Sequence, residues 1–209
     1  MITKIHFTKE VIGDKPSRAI ICIHGWQGNN ESLQTLVKIL NLDNVCWYFP
    51  EGPYTVNGDK YARSWSYESE PGIWEINEPK KLIRKFLYTE IFPNYESENV
   101  FIIGFSQGAI ICYEIALHID TPLGGIFPIA GFFRDSKLEK TRFHKSQDST
   151  PIIIGHGIKD EVVSIDFSRN IYKILKDQGA NVELFEYNGG HKISTKYLKR
   201  IKNIINETK

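Results

Sequence analysis

The amino-acid sequence predicts an α/β protein whose mostly parallel central sheet carries helices on both faces. Three observations lead there. Short, nearly uninterrupted apolar runs recur along the chain, as strands buried on both faces require. Amphipathic helical patterns stand between them. No internal repeat, low-complexity stretch or Pro/Gly/Ser-rich linker divides the 209 residues, a length that suits one domain with a sizeable core.

Residues 3–11 suit an antiparallel edge strand. Strand candidates follow at 19–24, 45–49, 100–104, 125–130, 151–156 and 182–187, each dominated by apolar residues. Asn30 is placed to cap a helix with Leu33, Leu36, Val37 and Leu40 on one face. A helical run at 109–117 follows the strand at 100–104. Ser164 is placed to cap another helix, burying Phe167, Ile171, Ile174 and Leu175 and stopping at Gly179. The last helix sets Leu198, Ile201, Ile204 and Ile205 on one stripe, which reads as core packing.

The stretch 50–78 breaks this rhythm. It combines Pro53, Gly58, Pro71 and Gly72 with Tyr54, Tyr61, Trp65, Tyr67 and Trp74. A long irregular segment in a compact domain is usually functional or disordered, and aromatic residues argue against disorder. Within the single domain 1–209 it reads as an aromatic-rich loop or short lid over a pocket. Tyr54, Trp65 and Trp74 are expected to line that pocket and bind substrate.

Composition narrows the function classes. With 41% hydrophobic residues, 24% charged residues and a formal net charge of +1, the chain lacks the field that attracts nucleic acid or an anionic membrane. No run of 18 or more apolar residues suggests a membrane span. Cys22, Cys46 and Cys112 lie far apart in apolar stretches, so buried free thiols and a reducing compartment are expected. The first residues show no signal-peptide pattern, and the expected location is the cytoplasm. No HExxH, clustered Cys/His, P-loop or GxGxxG pattern is found, so neither a metal nor a cofactor is expected.

One pattern carries chemistry. Gly104-Phe105-Ser106-Gln107-Gly108 stands between an apolar strand and a helix. In G-x-S-x-G the serine occupies a sharp strand-to-helix corner, and the glycines remove side chains that would clash there. A serine nucleophile also needs a base to accept its proton and an acid to orient the base. Asp160 follows the strand at 151–156, and His191 follows the strand at 182–187. The order Ser106, Asp160, His191 is the α/β-hydrolase order, with each candidate just past a strand end. His156, at a strand end itself, reads as a hydrogen-bonded structural residue.

An oxyanion formed at the substrate carbonyl needs donors. The backbone N–H of Gln107 opens a helix directly after Ser106, where the helix dipole helps. The second candidate is the Trp26 N–H in His24-Gly25-Trp26-Gln27-Gly28, the loop after the first central strand.

These residues resemble the phospholipase/carboxylesterase family of α/β-hydrolases, which includes the acyl-protein thioesterases. The resemblance runs from His24-Gly25 through the serine motif, the stretch 123–132 and the stretch 155–163, and ends at 187–193. It implies an α/β-hydrolase fold without a large cap and a serine esterase without cofactor. Its substrates would be small acyl esters, lysophospholipids or acyl thioesters, cleaved through an acyl-enzyme. It implies a triad of Ser106, Asp160 and His191, with Trp26 and Gln107 as oxyanion donors. The sequence is equally compatible with a monomer and with a homodimer through the aromatic-rich segment, since exposed aromatics mark interfaces. Trp26 replaces the small or aliphatic residue usual after His-Gly, and a bulky ring there would shorten the acyl pocket. Peptidases, hydrolases of aromatic esters or lactones, and non-catalytic binding proteins of the same fold remain alternatives.

Overall fold

The computed structural model describes residues 4–133 and 142–208. Strand β1 (Phe7–Ile12) precedes β2 (Arg18–Ile23), α1 (Thr35–Leu40) and β3 (Val45–Pro50). Two antiparallel hairpins follow, β4 (Tyr54–Val56) with β5 (Asp59–Ser64), and β6 (Tyr67–Glu70) with β7 (Ile73–Glu75). Helix α2 (Asn77–Phe86) leads to β8 (Val100–Phe105), α3 (Gln107–Glu114) and β9 (Gly125–Ile129). The chain ends with β10 (Ile152–Gly157), α4 (Ile165–Asp177), β11 (Val182–Tyr187) and α5 (Thr195–Glu207).

Seven strands form one sheet in the order β1-β3-β2-β8-β9-β10-β11. Only β1, at the edge, runs antiparallel, paired with β3 from Phe7↔Pro50 to Ile12↔Val45. The period of two along β2 divides the core. Ala19, Ile21 and Ile23 face a cluster with Ile83 and Phe86 of α2, Ile110 of α3 and Leu175 of α4. Ile20 and Cys22 face Leu36 and Val37 of α1 and Leu198 and Ile201 of α5. Each fully buried aliphatic side chain contributes about 1.5–3 kcal/mol, so both faces of the sheet need their helices. All three cysteines are buried and free. Among the described residues, no helix is long and apolar enough to cross a membrane.

Several local expectations are corrected. The edge strand begins at Phe7, and residues 1–3 lie outside the described residues. Asn30 caps no helix: turns fill 29–34, organised by Asn29 Oδ1 accepting from Glu31 N at 2.9 Å, and α1 starts at Thr35. Phe167 is 49% exposed, because α4 turns Ser168, Ile171 and Leu175 into the protein and leaves Phe167 beside that buried stripe. The stretch 50–78, expected as a loop or short lid, holds the two hairpins between residues 54 and 75 and reaches the first turn of α2. Helix α2, which the sequence pattern does not predict, buries Leu82, Ile83 and Phe86.

Candidate active site

Ligand sites in open α/β sheets form where neighbouring strands connect in opposite directions, beyond the strands' carboxyl ends. Here β2 lies between β3 and β8, which places the loops after β2 and β8 side by side. Ser106 stands in the second loop at φ 53° and ψ −114°, a strained conformation that costs about 1–3 kcal/mol. The surroundings enforce it. Ser106 N–H donates to Ile129 O at 2.8 Å, and α3 crosses tightly over the sheet. A Cβ on Gly108 would lie 2.1 Å from Ile23 O, and one on Gly104 would lie 2.3 Å from Gly108 O. Only glycines permit that approach, which lifts the serine hydroxyl above the sheet.

His191 follows β11 and Asp160 follows β10, and their loops are tied together. Ile158 N–H donates to Tyr187 O and Lys159 N–H to Gly189 O, both at 2.9 Å. Gly157 permits this contact, since a Cβ there would lie 2.3 Å from Gly189 O. The result is a continuous chain: Ser106 Oγ to His191 Nε2 at 3.0 Å, and His191 Nδ1 to Asp160 Oδ2 at 2.7 Å. Asp160 Oδ1 accepts from the N–H groups of Val162 and Val163, each at 2.9 Å. Burial pushes the Asp160 carboxyl up. The Val163 N–H, His191 and the Val162 N–H outweigh it and hold the group below its ordinary value. With its carboxylate accepting, Nδ1 of His191 carries the proton and Nε2 is left to accept from the serine.

The loop after β2 packs against this corner. A Cβ on Gly25 would lie 3.2 Å from Ser106 Cβ, so Trp26 is next to a residue in contact with the serine. His24 shapes the loop: Gly52 N–H donates to its Nε2 at 2.9 Å, which leaves Nδ1 as donor to Gly25 O at 2.7 Å. Gln107 N opens α3, where the first N–H groups of a helix lack intrahelical partners. Its side chain is buried and holds the joint between the hairpins. Gln107 Oε1 accepts from Trp65 N–H at 2.8 Å, and Nε2 donates to Ser66 Oγ at 2.8 Å and Ser64 Oγ at 3.0 Å.

Ser106 and Gln107 floor a cleft of about 640 Å³. Trp26, Trp74, Phe132, Phe133, Val162 and Phe167 wall it, with Gly72 at the hairpin tip, and no described lining residue is charged. Of the aromatic residues expected to bind substrate, Trp74 lines this cleft. Trp65 and Tyr54 do not. Trp65 is fully buried behind the site, its Nε1–H donating to His24 O at 3.0 Å and its ring 5.1 Å from the His24 ring. Tyr54 packs on Tyr67 across the two hairpins, with ring centroids 4.8 Å apart. Phe132, Phe133, Val162 and Phe167 are lining residues that sequence reasoning missed. Phe167 was open to detection, since it follows the Ser164 cap by three residues, on the first turn past the Asp160 loop. Among the described residues, no group of three or more His, Cys, Asp or Glu side chains gathers in a way that could hold a metal ion.

Comparison with known proteins identifies the family and the fold. Residues 8–209 match the model of the phospholipase/carboxylesterase family. The chain is 31% identical to carboxylesterase SOBER1 of Arabidopsis thaliana, over 89% of this chain and 88% of the relative. It is 27% identical to acyl-protein thioesterase 1 of Debaryomyces hansenii, over 92% of both chains. The crystal structure of SOBER1 superposes with a TM-score of 0.79 at 27% identity, covering 91% of this chain and 98% of that one. The chain belongs to the phospholipase/carboxylesterase family of α/β-hydrolases and is an enzyme of the esterase and thioesterase type.

Proposed function

We propose that the protein cleaves small, uncharged acyl esters or thioesters through a covalent acyl-enzyme formed on Ser106. The observation that carries this reading is the unbroken Ser106–His191–Asp160 hydrogen-bond chain at the floor of an apolar cleft. In the first step His191 Nε2 takes the Ser106 proton as Oγ attacks the carbonyl carbon. The N–H groups of Gln107 and Trp26 receive the negative charge that develops on the carbonyl oxygen, the largest single contribution in reactions of this kind. His191 then gives its proton to the departing alcohol or thiol, and Ser106 keeps the acyl group. Water, activated by His191, releases the acid and restores the serine.

Asp160 holds the imidazole in the productive tautomer and stays ionised while the imidazolium forms. The described wall residues carry no charge and favour an apolar acyl or alcohol group over a charged one, whose burial without a partner is costly. Trp74 and Gly72, on the β6–β7 hairpin, form one side of the cleft, which gives that hairpin the role of a short lid. Three buried thiols without disulfides suit a reducing compartment, and we assign the enzyme to the cytoplasm. Every residue of the proposed machinery comes from one chain, so a monomer is sufficient for turnover.

Replacement of Ser106 by alanine tests the assignment. Hydrolysis of p-nitrophenyl esters is expected to fall on the order of 10⁶-fold, as it does when a serine protease loses its nucleophile. A folded variant with full activity would move the nucleophile elsewhere. Acetyl, octanoyl and palmitoyl esters compared side by side then report the acyl length the cleft accepts.

A further inference from the structure

Asp160 faces two imidazoles. His191 Nδ1 lies 2.7 Å from Asp160 Oδ2, and His156 Nε2 lies 3.3 Å from the same oxygen. His156, near the end of β10, is fully buried and has no part in the proton relay proposed above. Its Nε2 is 2.9 Å from the carbonyl oxygen of Val163. A carbonyl only accepts, so Nε2 carries a proton. The other ring nitrogen, Nδ1, is held by Ser168 Oγ at 2.6 Å.

Val163 is thereby gripped on both sides. Its carbonyl accepts from His156, while its N–H donates to Asp160 Oδ1 at 2.9 Å. The same His156 N–H passes beside Asp160 Oδ2, and both side chains are fully shielded from water. At such burial a nearby N–H acts on a carboxylate with little solvent screening. We propose that His156, steadied by Ser168, is a positioning residue for Asp160. It clamps Val163 so that Oδ1 is held by the backbone, and it sets positive potential against Oδ2 so that the carboxylate stays ionised and aimed at His191. The inference rests on the triad reading above.

The expected sign follows from the charges. Taking the N–H away from Oδ2 leaves the carboxylate with less compensation, so it stabilises the His191 imidazolium more strongly. The acid limb of the kcat/KM profile therefore moves to higher pH. Among the described residues, the other charged and titratable groups around the pair include Lys159 and Glu161 flanking Asp160 in its loop, Glu186 and Tyr187 on β11, Arg169 on α4, which pairs with Glu186, and Tyr113 on α3. None is altered in the test.

The test measures p-nitrophenyl acetate hydrolysis from about pH 5 to about pH 9 in wild type, Ser106→Ala, His156→Asn and Ser168→Ala, with circular dichroism confirming the fold. In His156→Asn, kcat is expected to fall about 10- to 100-fold, a cost in keeping with misaligned catalytic groups. KM is expected to stay within about twofold, and the acid limb to rise by about half a pH unit or more. Ser168→Ala is expected to change both in the same direction by less. A residue that only fills space would lower the yield of folded enzyme without moving the limb. An unmoved acid limb in the folded variants therefore overturns the proposal. If His156→Asn does not fold, the limb of Ser168→Ala decides alone. Activity retained in Ser106→Ala, or a wild type without an acid limb, would overturn the triad reading, and the proposal with it. A normal wild-type limb that the variants share overturns the positioning role alone.

Discussion

Acid should weaken the loop that carries Trp26, and His24 sets the size of the effect. Burial lowers the His24 pKa from 6.5 to about 4, opposed by its bond to Gly25 O and aided by Arg63. The geometry agrees, because Nε2 accepts from Gly52 N–H and cannot take a proton without losing that bond. An unfolded chain binds this proton near pH 6.5, whereas the folded chain resists it until about pH 4. The stabilisation is therefore whole above pH 6.5 and is lost as the pH falls toward 4. At 1.36 kcal/mol per pKa unit the loss is about 3 kcal/mol.

His24→Gln isolates this contribution, since glutamine offers an acceptor to Gly52 N–H but does not titrate. Urea unfolding followed by tryptophan fluorescence, from about pH 7 to about pH 4, gives the stability of each protein. Wild type is expected to lead by about 1–2 kcal/mol near pH 7, the cost of an imperfectly replaced buried hydrogen bond. Its lead should shrink by up to about 3 kcal/mol and reverse near pH 4. Burial also lowers the His118 pKa, but that group is common to both proteins and cancels in the difference. A gap that stays constant with pH would refute the reasoning.

Asp160→Asn is expected to lower kcat about 10⁴-fold through the wrong His191 tautomer; near wild-type turnover of p-nitrophenyl acetate would place the acid elsewhere. In Gly108→Ala the added Cβ would lie 2.1 Å from Ile23 O and 2.8 Å from His24 O. Thermal unfolding should show a loss of about 1–3 kcal/mol, and an unchanged Tm would mean that α3 does not press on β2 as described. Trp74→Ala, on the exposed β6–β7 hairpin, should raise KM for an octanoyl ester about tenfold while an acetyl ester changes little, since only the longer chain buries area against the ring. Equal effects on both esters would remove Trp74 from the apolar wall.

The parallel core was legible in the sequence because each inner strand is apolar on both faces, as the runs at 19–24 and 100–104 show. The order of the proposed triad was legible for a related reason. Ser106, Asp160 and His191 each follow such a run, and a parallel sheet gathers its strand ends at one edge. Asn30 misled because a capping residue type does not reveal whether the next turn is helical; here Asn29 organises the turns instead. Trp65 misled because an aromatic ring suits a pocket wall and a buried core equally, and only tertiary contact with His24 decides. The hairpins at 54–64 and 67–75 are short and polar on one side, so their pairing depends on turns at Asn57-Gly58 and Pro71-Gly72 rather than on an apolar period. The role of His156 depends on Val163 and Ser168, which the fold brings to it from the next loop and helix, and no local pattern encodes that meeting.

The most direct measurement is the intact mass of the protein after reaction with a fluorophosphonate, followed by peptide mapping. A serine activated as described should take up one phosphonyl group, mapped to Ser106, and both Ser106→Ala and His191→Ala should remain essentially unlabelled. A folded wild-type protein that stays unmodified, or a single adduct on another residue, would contradict the assignment of Ser106 as the nucleophile.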